Sequence, residues 1–348
     1  MPYPLPEDPR AARRARIWRW VSTALVVVLV MTLVYIAWVG YDGSRQLVDS
    51  DAKSDNCQTP AAAFGWPYEA INYDIASDAA LDALPDPTSC STYGQTAGSE
   101  LVTQDGAHLA GWYIPAAGDI GATGPTVVLA HAQDADKSDM LPYAEILHSD
   151  YNLVLFDFRN HGQSSATAST LGIREQLDVE AVIDWLASTK QPAHVAVLGV
   201  AMGGSAAVNA ADTDSRIEAL VLDSTHATLA NAIEAHLALS GYPLALPGAW
   251  AILLGGLLRT GEDMTAADPV QAVERYGSRP VLILVGGMDD SIGPHDGTDI
   301  ATAGRAGGAD VELENCPAAG HANLVQVCAD KYRTWLLAFL QRALAAQP

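Results

Sequence analysis

The sequence predicts an α/β protein in which a doubly wound, mostly parallel sheet carries a small helical cap and follows a single membrane-spanning helix. Short continuous apolar runs alternate with segments of helical periodicity, which is typical of buried parallel strands covered by helices. One apolar run leads into a glycine-rich turn and then into helix-forming sequence. A long uncharged stretch near the N-terminus predicts the membrane helix.

Residues 20–41 contain no charged side chain. At the rise of an α-helix these residues span roughly 33 Å, enough to cross a bilayer core. Trp18 and Trp20 lie at one end, and Trp38 and Tyr41 at the other, where aromatic rings favour the headgroup region. We therefore expect contact with a lipid bilayer through this segment. A cleaved signal peptide is the alternative, but its apolar region would be shorter and would end in small residues.

Charge around this segment predicts its orientation. Five arginines lie within residues 1–19, whereas aspartates dominate just after residue 41. Arginine on the near side predicts a cytoplasmic tail over residues 1–19 and everything beyond residue 41 outside. The expected location is the cell membrane, with a single pass and an extracytoplasmic main domain.

All four cysteines follow the apolar segment, which fits an oxidising compartment. Three pairings of Cys57, Cys90, Cys316 and Cys328 are possible. The local pairs Cys57–Cys90 and Cys316–Cys328 are favoured, with four buried free thiols as the alternative. No Cys-x-x-Cys spacing is present, and we expect no metal.

Composition excludes one class of partner. The chain of 348 residues has a formal net charge of −22, and without its arginine-rich first 19 residues the net charge is −25. Binding of nucleic acid through counterion release needs clustered Lys and Arg, so we expect no nucleic-acid partner. The length suffices for one main domain with additions. Nothing in the sequence indicates the oligomeric state.

The chain beyond the apolar segment divides by composition. Residues 42–95 are rich in Asp, Ala, Ser and Pro and are interpreted as a tether and N-terminal extension. Residues 96–348 form the predicted main domain, which opens with a hairpin around Asp105-Gly106. A cap is expected at about 225–276, where the alternation of strands and helices is interrupted. The predicted strands cover 126–130, 153–157, 195–200, 219–223, 281–285 and 311–314, and one predicted helix covers 174–188.

The run Val197-Leu-Gly-Val-Ala-Met-Gly-Gly204 has the pattern of a nucleophile elbow. In this strand–turn–helix arrangement, Gly-x-Ser-x-Gly lifts a serine hydroxyl above a parallel sheet. The glycines fit a turn too crowded for side chains. Here the central residue is Ala201, whose methyl group can neither attack a carbonyl nor be activated by a base.

Ligands of such sheets bind beyond the carboxyl ends of the strands. After residues 126–130 comes a loop in which the backbone N–H of Gln133 is the candidate first donor of an oxyanion hole. The N–H of Met202 would be the second donor. The side chain of His131 is expected to fix this loop by hydrogen bonding. The polar turn at 157–164 is expected to support the elbow.

Two further strand ends carry candidate catalytic groups. After residues 281–285, Asp289 and Asp290 both qualify as the carboxylate that orients a histidine, and spacing from the glycine pair favours Asp290. His321 follows a glycine in a loop after the last predicted strand and is the candidate general base. The order of elbow, acid and histidine along the chain is met. A disulfide between Cys316 and Cys328 would stiffen the histidine loop.

From about residue 97 to 345 the chain resembles the α/β-hydrolase superfamily, specifically its small-capped bacterial branch related to serine aminopeptidase-like hydrolases. The similar segments are Asp157-Phe-Arg-Asn-His-Gly-Gln-Ser-Ser, Lys137-Ser-Asp and Arg259-Thr-Gly-Glu-Asp. The resemblance implies an eight-stranded sheet, position 201 as the nucleophile, and hydrolysis of small-molecule acyl esters, lipids, thioesters or peptides without a cofactor.

The chain departs from the family pattern at Ala201 and at Ala132, where the His-Gly motif has glycine. One hypothesis is a hydrolase whose serine has been replaced while its partners remain. A second is a membrane-tethered pseudoenzyme that binds a ligand or a protein. A third, a different nucleophile at Ser205 or Ser224, is disfavoured because Ser205 should point into helix packing. Apolar cap residues within 239–258 would line an acyl pocket or form the cap's own core.

Overall fold

The structure is a computed structural model that describes residues 9–49, 58–72 and 100–345. Its centre is an eight-stranded sheet in the order β1-β2-β4-β3-β5-β6-β7-β8. The strands β3 to β8 are parallel to one another, and β1 and β2 are antiparallel additions at one edge. The strands are β1 Glu69–Ile71, β2 Gly111–Ile114, β3 Thr126–Ala130, β4 Asn152–Phe156, β5 Val195–Val200, β6 Ala219–Asp223, β7 Pro280–Gly286 and β8 Asp310–Cys316.

Eleven α-helices lie in the described residues and cover both faces of the sheet. Each central strand is buried along its whole length, so its side chains alternate between two apolar cores, one on each face. The helices are α1 Pro9–Val48, α2 Pro60–Phe64, α3 Leu141–Leu147, α4 Glu175–Thr189, α5 Met202–Thr213, α6 Leu229–Leu239, α7 Ala245–Thr260, α8 Pro269–Arg275, α9 Asp296–Gly307, α10 Leu324–Val327 and α11 Ala329–Ala343.

The predicted doubly wound sheet is confirmed, with strands close to the expected bounds. The expected hairpin is reduced in the structure to a turn at 103–106 and one antiparallel bridge between Val102 and His108. Strand β2 pairs instead with β1 and β4. These pairings place the N-terminal extension at the sheet edge, where Phe64 and Trp66 pack on the apolar core.

Helix α1 is 40 residues long and continues to Val48, beyond the expected boundary at residue 41. It is long and apolar enough to cross a membrane, and its most apolar window is only 11% buried. Residues 42–48 are therefore helical, where the sequence suggested a tether. The sequence could not show this because the helix is held there by the cap.

The insertion between β6 and β7 contains α6, α7, a short 3-10 helix at Met264–Ala266, and α8. The C-terminal part of α1 packs along α7. A Cβ on Gly40 would lie 2.8 Å from the Cβ of Ala251, and one on Gly43 would lie 2.5 Å from a side-chain carbon of Ile252. Small residues therefore allow the two helix backbones to approach closely.

Candidate active site

The elbow lies where β5 passes into α5. The residue between them, Ala201, has φ 50° and ψ −111°, a conformation that is costly for any residue with a Cβ. A Cβ on Gly199 would overlap the backbone of Gly203, and one on Gly203 would overlap the carbonyl of Ala130. The local backbone is thus that of a sharp strand-to-helix turn, with a methyl group at its tip.

Sheet order brings the other candidate groups to the same edge. Strand β5 lies between β3 and β6, and β7 and β8 follow in sequence. Because these strands are parallel, the loops after their carboxyl ends meet above one edge of the sheet. Ala201, Gln133, Met202 and His321 all line one cavity of about 1140 Å³.

The loop after β7 places Asp289, and not Asp290, against the histidine. Nδ1 of His321 lies 2.9 Å from Oδ2 of Asp289. Oδ1 of Asp289 accepts the backbone N–H groups of Ser291 and Ile292 at 2.9 and 3.2 Å. Asp290 is exposed, and its carboxylate lies 3.4 Å from the Ser291 hydroxyl. The expectation that Asp290 pairs with the histidine was wrong.

Backbone pairing explains this one-residue difference. The ladder between β7 and β8 continues past the strand ends, with the N–H of Gly287 donating to Cys316 and that of Met288 donating to Ala319. The next residue, Asp289, therefore comes beside the loop that carries His321. The side chain of Asp289 is 4% exposed and that of His321 is 27% exposed, so the pair is shielded at the carboxylate and open at the imidazole.

The histidine loop is fixed on two sides. Cys316 and Cys328 form the expected disulfide, with a Cα–Cα distance of 6.2 Å. The N–H of Ala322 donates to the Ser224 hydroxyl at 3.1 Å. The other expected pair, Cys57–Cys90, lies outside the described residues.

The loop after β3 is fixed by two buried histidines. His131 accepts the N–H of Phe158 at Nε2, 3.0 Å, and its Nδ1 lies 2.6 Å from the carbonyl of Ala132. Burial lowers the pKa of His131 to about 3, so the ring is neutral with its proton on Nδ1. His161 bridges the carbonyls of Arg159 and Gln133.

The polar turn at 157–164 contacts this loop in the described structure, whereas the sequence suggested that it supports the elbow. Lys137 Nζ lies 2.6 Å from Asp157 Oδ2 and 2.7 Å from Gln163 Oε1, all three side chains being buried. Asp157 also accepts the backbone N–H of Lys137. These bonds hold the loop that carries Gln133 beside the elbow.

Gln133 has two contacts that bear on its expected role. Its side chain donates to the carbonyl of Leu47 in α1 at 3.0 Å. Its backbone N–H has no acceptor among the residues that the structure describes. The N–H of Met202 is the first of helix α5, a position that leaves an amide without an intrahelical partner. Both N–H groups are therefore without a backbone acceptor in the part of the chain that the structure describes.

Two further groups lie at the carboxyl end of β6 and were not among the expected site residues. His226 lines the cavity with Nε2 unpartnered, and burial lowers its pKa to about 4, which keeps the ring neutral. Asp223 is buried behind the cavity, where it accepts from Tyr332 at 2.9 Å and from Ser224 at 3.0 Å, and burial raises its pKa to about 6. The strand-end rule could have pointed to both, because Asp223 is the last residue of a predicted strand and His226 follows it closely.

Neither alternative serine is placed for attack. Ser205 and Ser224 are fully buried. The Ser205 hydroxyl packs against Gly172, and the Ser224 hydroxyl is engaged with Asp223 and Ala322. Within the described residues, no group of three or more His, Cys, Asp and Glu side chains is arranged to hold a metal ion.

Comparison with known proteins identifies the family. A sequence profile described as alpha/beta hydrolase fold matches residues 142–326, more than half of the chain. This chain belongs to the α/β-hydrolase fold family. An uncharacterized protein of Mycobacterium tuberculosis is 32% identical over 217 residues, which cover 60% of this chain and 68% of that protein.

Other similar proteins are more distant. The uncharacterized protein YfhR of Escherichia coli is 29% identical over 189 residues, covering 51% of this chain and 62% of YfhR. A solved structure of an esterase from Pyrococcus furiosus superposes with a TM-score of 0.61 at 20% identity, covering 82% of this chain and 96% of the esterase. At that identity the likeness shows the shared fold.

Proposed function

We propose that this α/β-hydrolase is a membrane-anchored protein with an acyl-binding site, in which an ester, thioester or peptide bond is held but not cleaved. The observation that carries the proposal is the pairing of His321 with Asp289 in the same cavity as the strained elbow at Ala201. A histidine oriented by a buried carboxylate is the arrangement that activates a serine at such an elbow. A methyl group at residue 201 removes the acyl-enzyme route.

The remaining groups have defined parts in this proposal. The N–H groups of Gln133 and Met202 would bind the carbonyl oxygen of the ligand, as an oxyanion hole does. His321 would stand opposite the carbonyl carbon with no hydroxyl to deprotonate. Turnover would be limited to what the oxyanion donors and binding supply, roughly 10³–10⁴-fold over water in serine hydrolases without a working triad.

The anchor and the disulfide support a location outside the cytoplasm. Helix α1 is long enough to span a bilayer, and five arginines precede its apolar part. The rule that arginine stays inside would place the N-terminus in the cytoplasm and the hydrolase fold outside. A disulfide between Cys316 and Cys328 is stable in such an oxidising compartment.

The decisive experiment restores the hydroxyl with Ala201→Ser in the full chain. We expect hydrolysis of p-nitrophenyl esters to rise at least 10³-fold over the unsubstituted chain, and a fluorophosphonate to label residue 201. The control is Ala201→Ser combined with His321→Ala, which should lose both signals. A folded Ala201→Ser protein that neither labels nor hydrolyses short or long acyl esters would contradict the proposal.

The second candidate is a pseudoenzyme that binds a ligand or a protein without any link to acyl chemistry. Ala132 favours it, since glycine is the family's residue in the loop that would bind the carbonyl oxygen. The same experiment separates the two, because a pseudoenzyme with an altered carbonyl site would stay inactive with serine at residue 201. Ala132→Gly combined with Ala201→Ser then separates two causes: recovered hydrolysis would show that residue 132 alone had altered the carbonyl site, and continued inactivity would support the second candidate.

A further inference from the structure

The cap presents an apolar face that no described residue covers. Residues 237–258 contain no charged side chain. Several large apolar residues of this stretch, which covers the end of α6 and most of α7, are strongly exposed. A contiguous exposed apolar patch of this kind usually marks an interaction surface. The exposed members are Leu239, Tyr242, Leu244, Leu246, Trp250, Leu254, Leu257 and Leu258. We call these residues the cap face.

Helix α7, which carries much of the cap face, packs against the apolar helix α1. Contacts between α1 and α7 advance together along both helices, from Val39 beside Gly248 to Ser44 beside Gly255, so the two helices run in the same direction. Near the start of α7, the Tyr35 hydroxyl donates to the carbonyl of Pro243 at 3.0 Å. The beginning of α7 is therefore level with Tyr35.

This level lies inside the stretch expected to cross the membrane. Tyr35 precedes Tyr41, the end of the uncharged stretch, by six residues. At the rise of an α-helix this separation is about 9 Å. Apolar faces of interfacial helices enter a bilayer by roughly 5–10 Å, so the connection from α6 to α7 has the depth of an inserted segment.

Charge along the same helix pair changes at the opposite end. Arg259, near the end of α7, lies 3.6 Å from Asp49, and its Nε donates to the Ser44 hydroxyl at 3.1 Å. Arg259, the first charged residue after the uncharged stretch 237–258, is thus paired at the end of α7 that lies away from Tyr35. The pair of helices α1 and α7 is apolar at the end near Tyr35 and carries an ion pair at the end near Asp49. This change from apolar to charged residues is what a helix pair crossing a bilayer surface requires.

The cavity reaches from the catalytic groups to this apolar end. Its lining includes Ala201 and His321 on one side, and Trp38 of α1 and Tyr242 of the cap on the other. Trp38 and Tyr242 are exposed, so this end of the lining reaches the surface, and Tyr242 itself belongs to the cap face. The lining also includes polar side chains such as Asp42 and His236, and among its apolar members from α1, α6 and α7 are Val39, Leu47, Leu229, Ile233, Leu237 and Ile252.

We propose that the cap face inserts into the lipid bilayer beside α1, and that the cavity takes its acyl ligand from the bilayer. The ligand class is therefore a membrane-resident lipid ester, with its acyl chain between α1 and α6 and its carbonyl at Ala201. This inference rests on the proposed function for the nature of the site, but bilayer insertion and ligand entry are measured without catalysis.

Insertion is tested by spin labels on the full chain in phospholipid nanodiscs. Leu246→Cys and Trp250→Cys place nitroxides on the cap face, and Thr302→Cys places one on the exposed side of α9 as a matched control. The unsubstituted chain, treated with the same reagent, gives the background. We expect the labels at 246 and 250 to collide with oxygen more than with a water-soluble nickel complex, and the label at 302 to show the reverse.

Two outcomes would overturn insertion. Labels at 246 and 250 that behave like the label at 302 would show that the cap face is in water. Labels at 246 and 250 shielded from both oxygen and nickel would show that a second copy or another protein covers the face.

Ligand entry is tested with the chain as it is, because Ala201 leaves a bound ester intact. The probe is a phosphatidylcholine with a diazirine at the end of one acyl chain, placed in the nanodisc and activated by light. We expect adducts on the peptide that contains Leu229 and Ile233, which are buried in the cavity wall. Ile233→Trp, which fills the cavity, should reduce these adducts at least fivefold while adducts on residues 25–29 stay unchanged.

Adducts confined to α1 and the outer side of α7 would refute lipid entry. Failure of the proposed function gives a different result. An inactive Ala201→Ser protein that still forms cavity adducts would contradict the proposed acyl chemistry and leave the lipid site standing. An Ala201→Ser protein active on soluble esters, without cavity adducts, would do the opposite.

Discussion

The carboxylate of Asp289 lies 2.9 Å from Nδ1 of His321, while its other oxygen accepts two backbone N–H groups. The three contacts orient the carboxylate, which can then hold the imidazole in the tautomer with its proton on Nδ1. Asp290, one residue later, makes no such contact and is exposed.

Asp289→Asn should abolish most of the activity of the Ala201→Ser protein, whereas Asp290→Asn should not. In serine proteases the equivalent Asp-to-Asn change lowers kcat by about 10⁴-fold, because the histidine takes the wrong tautomer. We expect a similar fall for Asp289→Asn and a change of less than about threefold for Asp290→Asn, measured as kcat on a p-nitrophenyl ester. Equal losses in the two variants would contradict the assignment.

Ala201→Gly should stabilise the protein. The backbone of Ala201, with φ 50° and ψ −111°, costs on the order of 1–3 kcal/mol for a residue with a Cβ, and glycine relieves this cost. Glycine also raises the conformational entropy of the unfolded chain, which lowers the free energy of unfolding by about 0.4–1 kcal/mol. The expected net gain in the free energy of unfolding is therefore about 1 kcal/mol. Urea unfolding in micelles measures it. The control, Ala207→Gly within α5, should lose about 1 kcal/mol, and a similar loss for Ala201→Gly would refute the strain.

His131 should make the protein less stable in acid. Its folded-state pKa of about 3 lies below the ordinary 6.5, so between these values the unfolded chain binds a proton that the folded chain does not. Stability from this group is present above pH 6.5 and falls by up to about 1.4 kcal/mol per pH unit as the pH drops. His131→Gln lacks this dependence.

The pH measurement is a comparison of two proteins. Urea unfolding from pH 6.5 to 4 should show the stability difference between the native chain and His131→Gln shrinking as the pH falls. Burial raises the pKa of Asp178 to about 7 and that of Asp223 to about 6, which gives a dependence of the opposite sign. Both proteins share these carboxyls, so their effect cancels in the difference. Parallel curves would exclude His131 as the source.

Removing the Cys316–Cys328 disulfide should affect both stability and turnover. The bridge closes a short loop that contains His321. Loop entropy predicts a loss of about 3 kcal/mol for Cys316→Ala with Cys328→Ala. In the Ala201→Ser protein we expect kcat to fall and KM to stay nearly constant, because the loop positions the histidine. A stability loss with unchanged kcat would show that the bridge acts on folding alone.

Much of the sheet was predictable, because each central strand is a short continuous apolar run and the runs alternate with sequence of helical periodicity. The pairing of Asp289 with His321 was not, since it depends on where the ladder between β7 and β8 ends. His226 and Asp223 also escaped notice, because their meaning comes from burial beside the cavity. The helical course of residues 42–48 depends on packing against α7, which local sequence does not encode.

Helix α1 is an uninterrupted rod about 60 Å long, and its last three turns are also a wall of the cavity. A fragment that starts after residue 49 would therefore lack one wall of the cavity, and the rest of the lining would be more open to water. Affinities measured on such a fragment would report a different receptor. The apolar segment of this chain is part of the binding apparatus, and preparations meant for ligand discovery need to retain it.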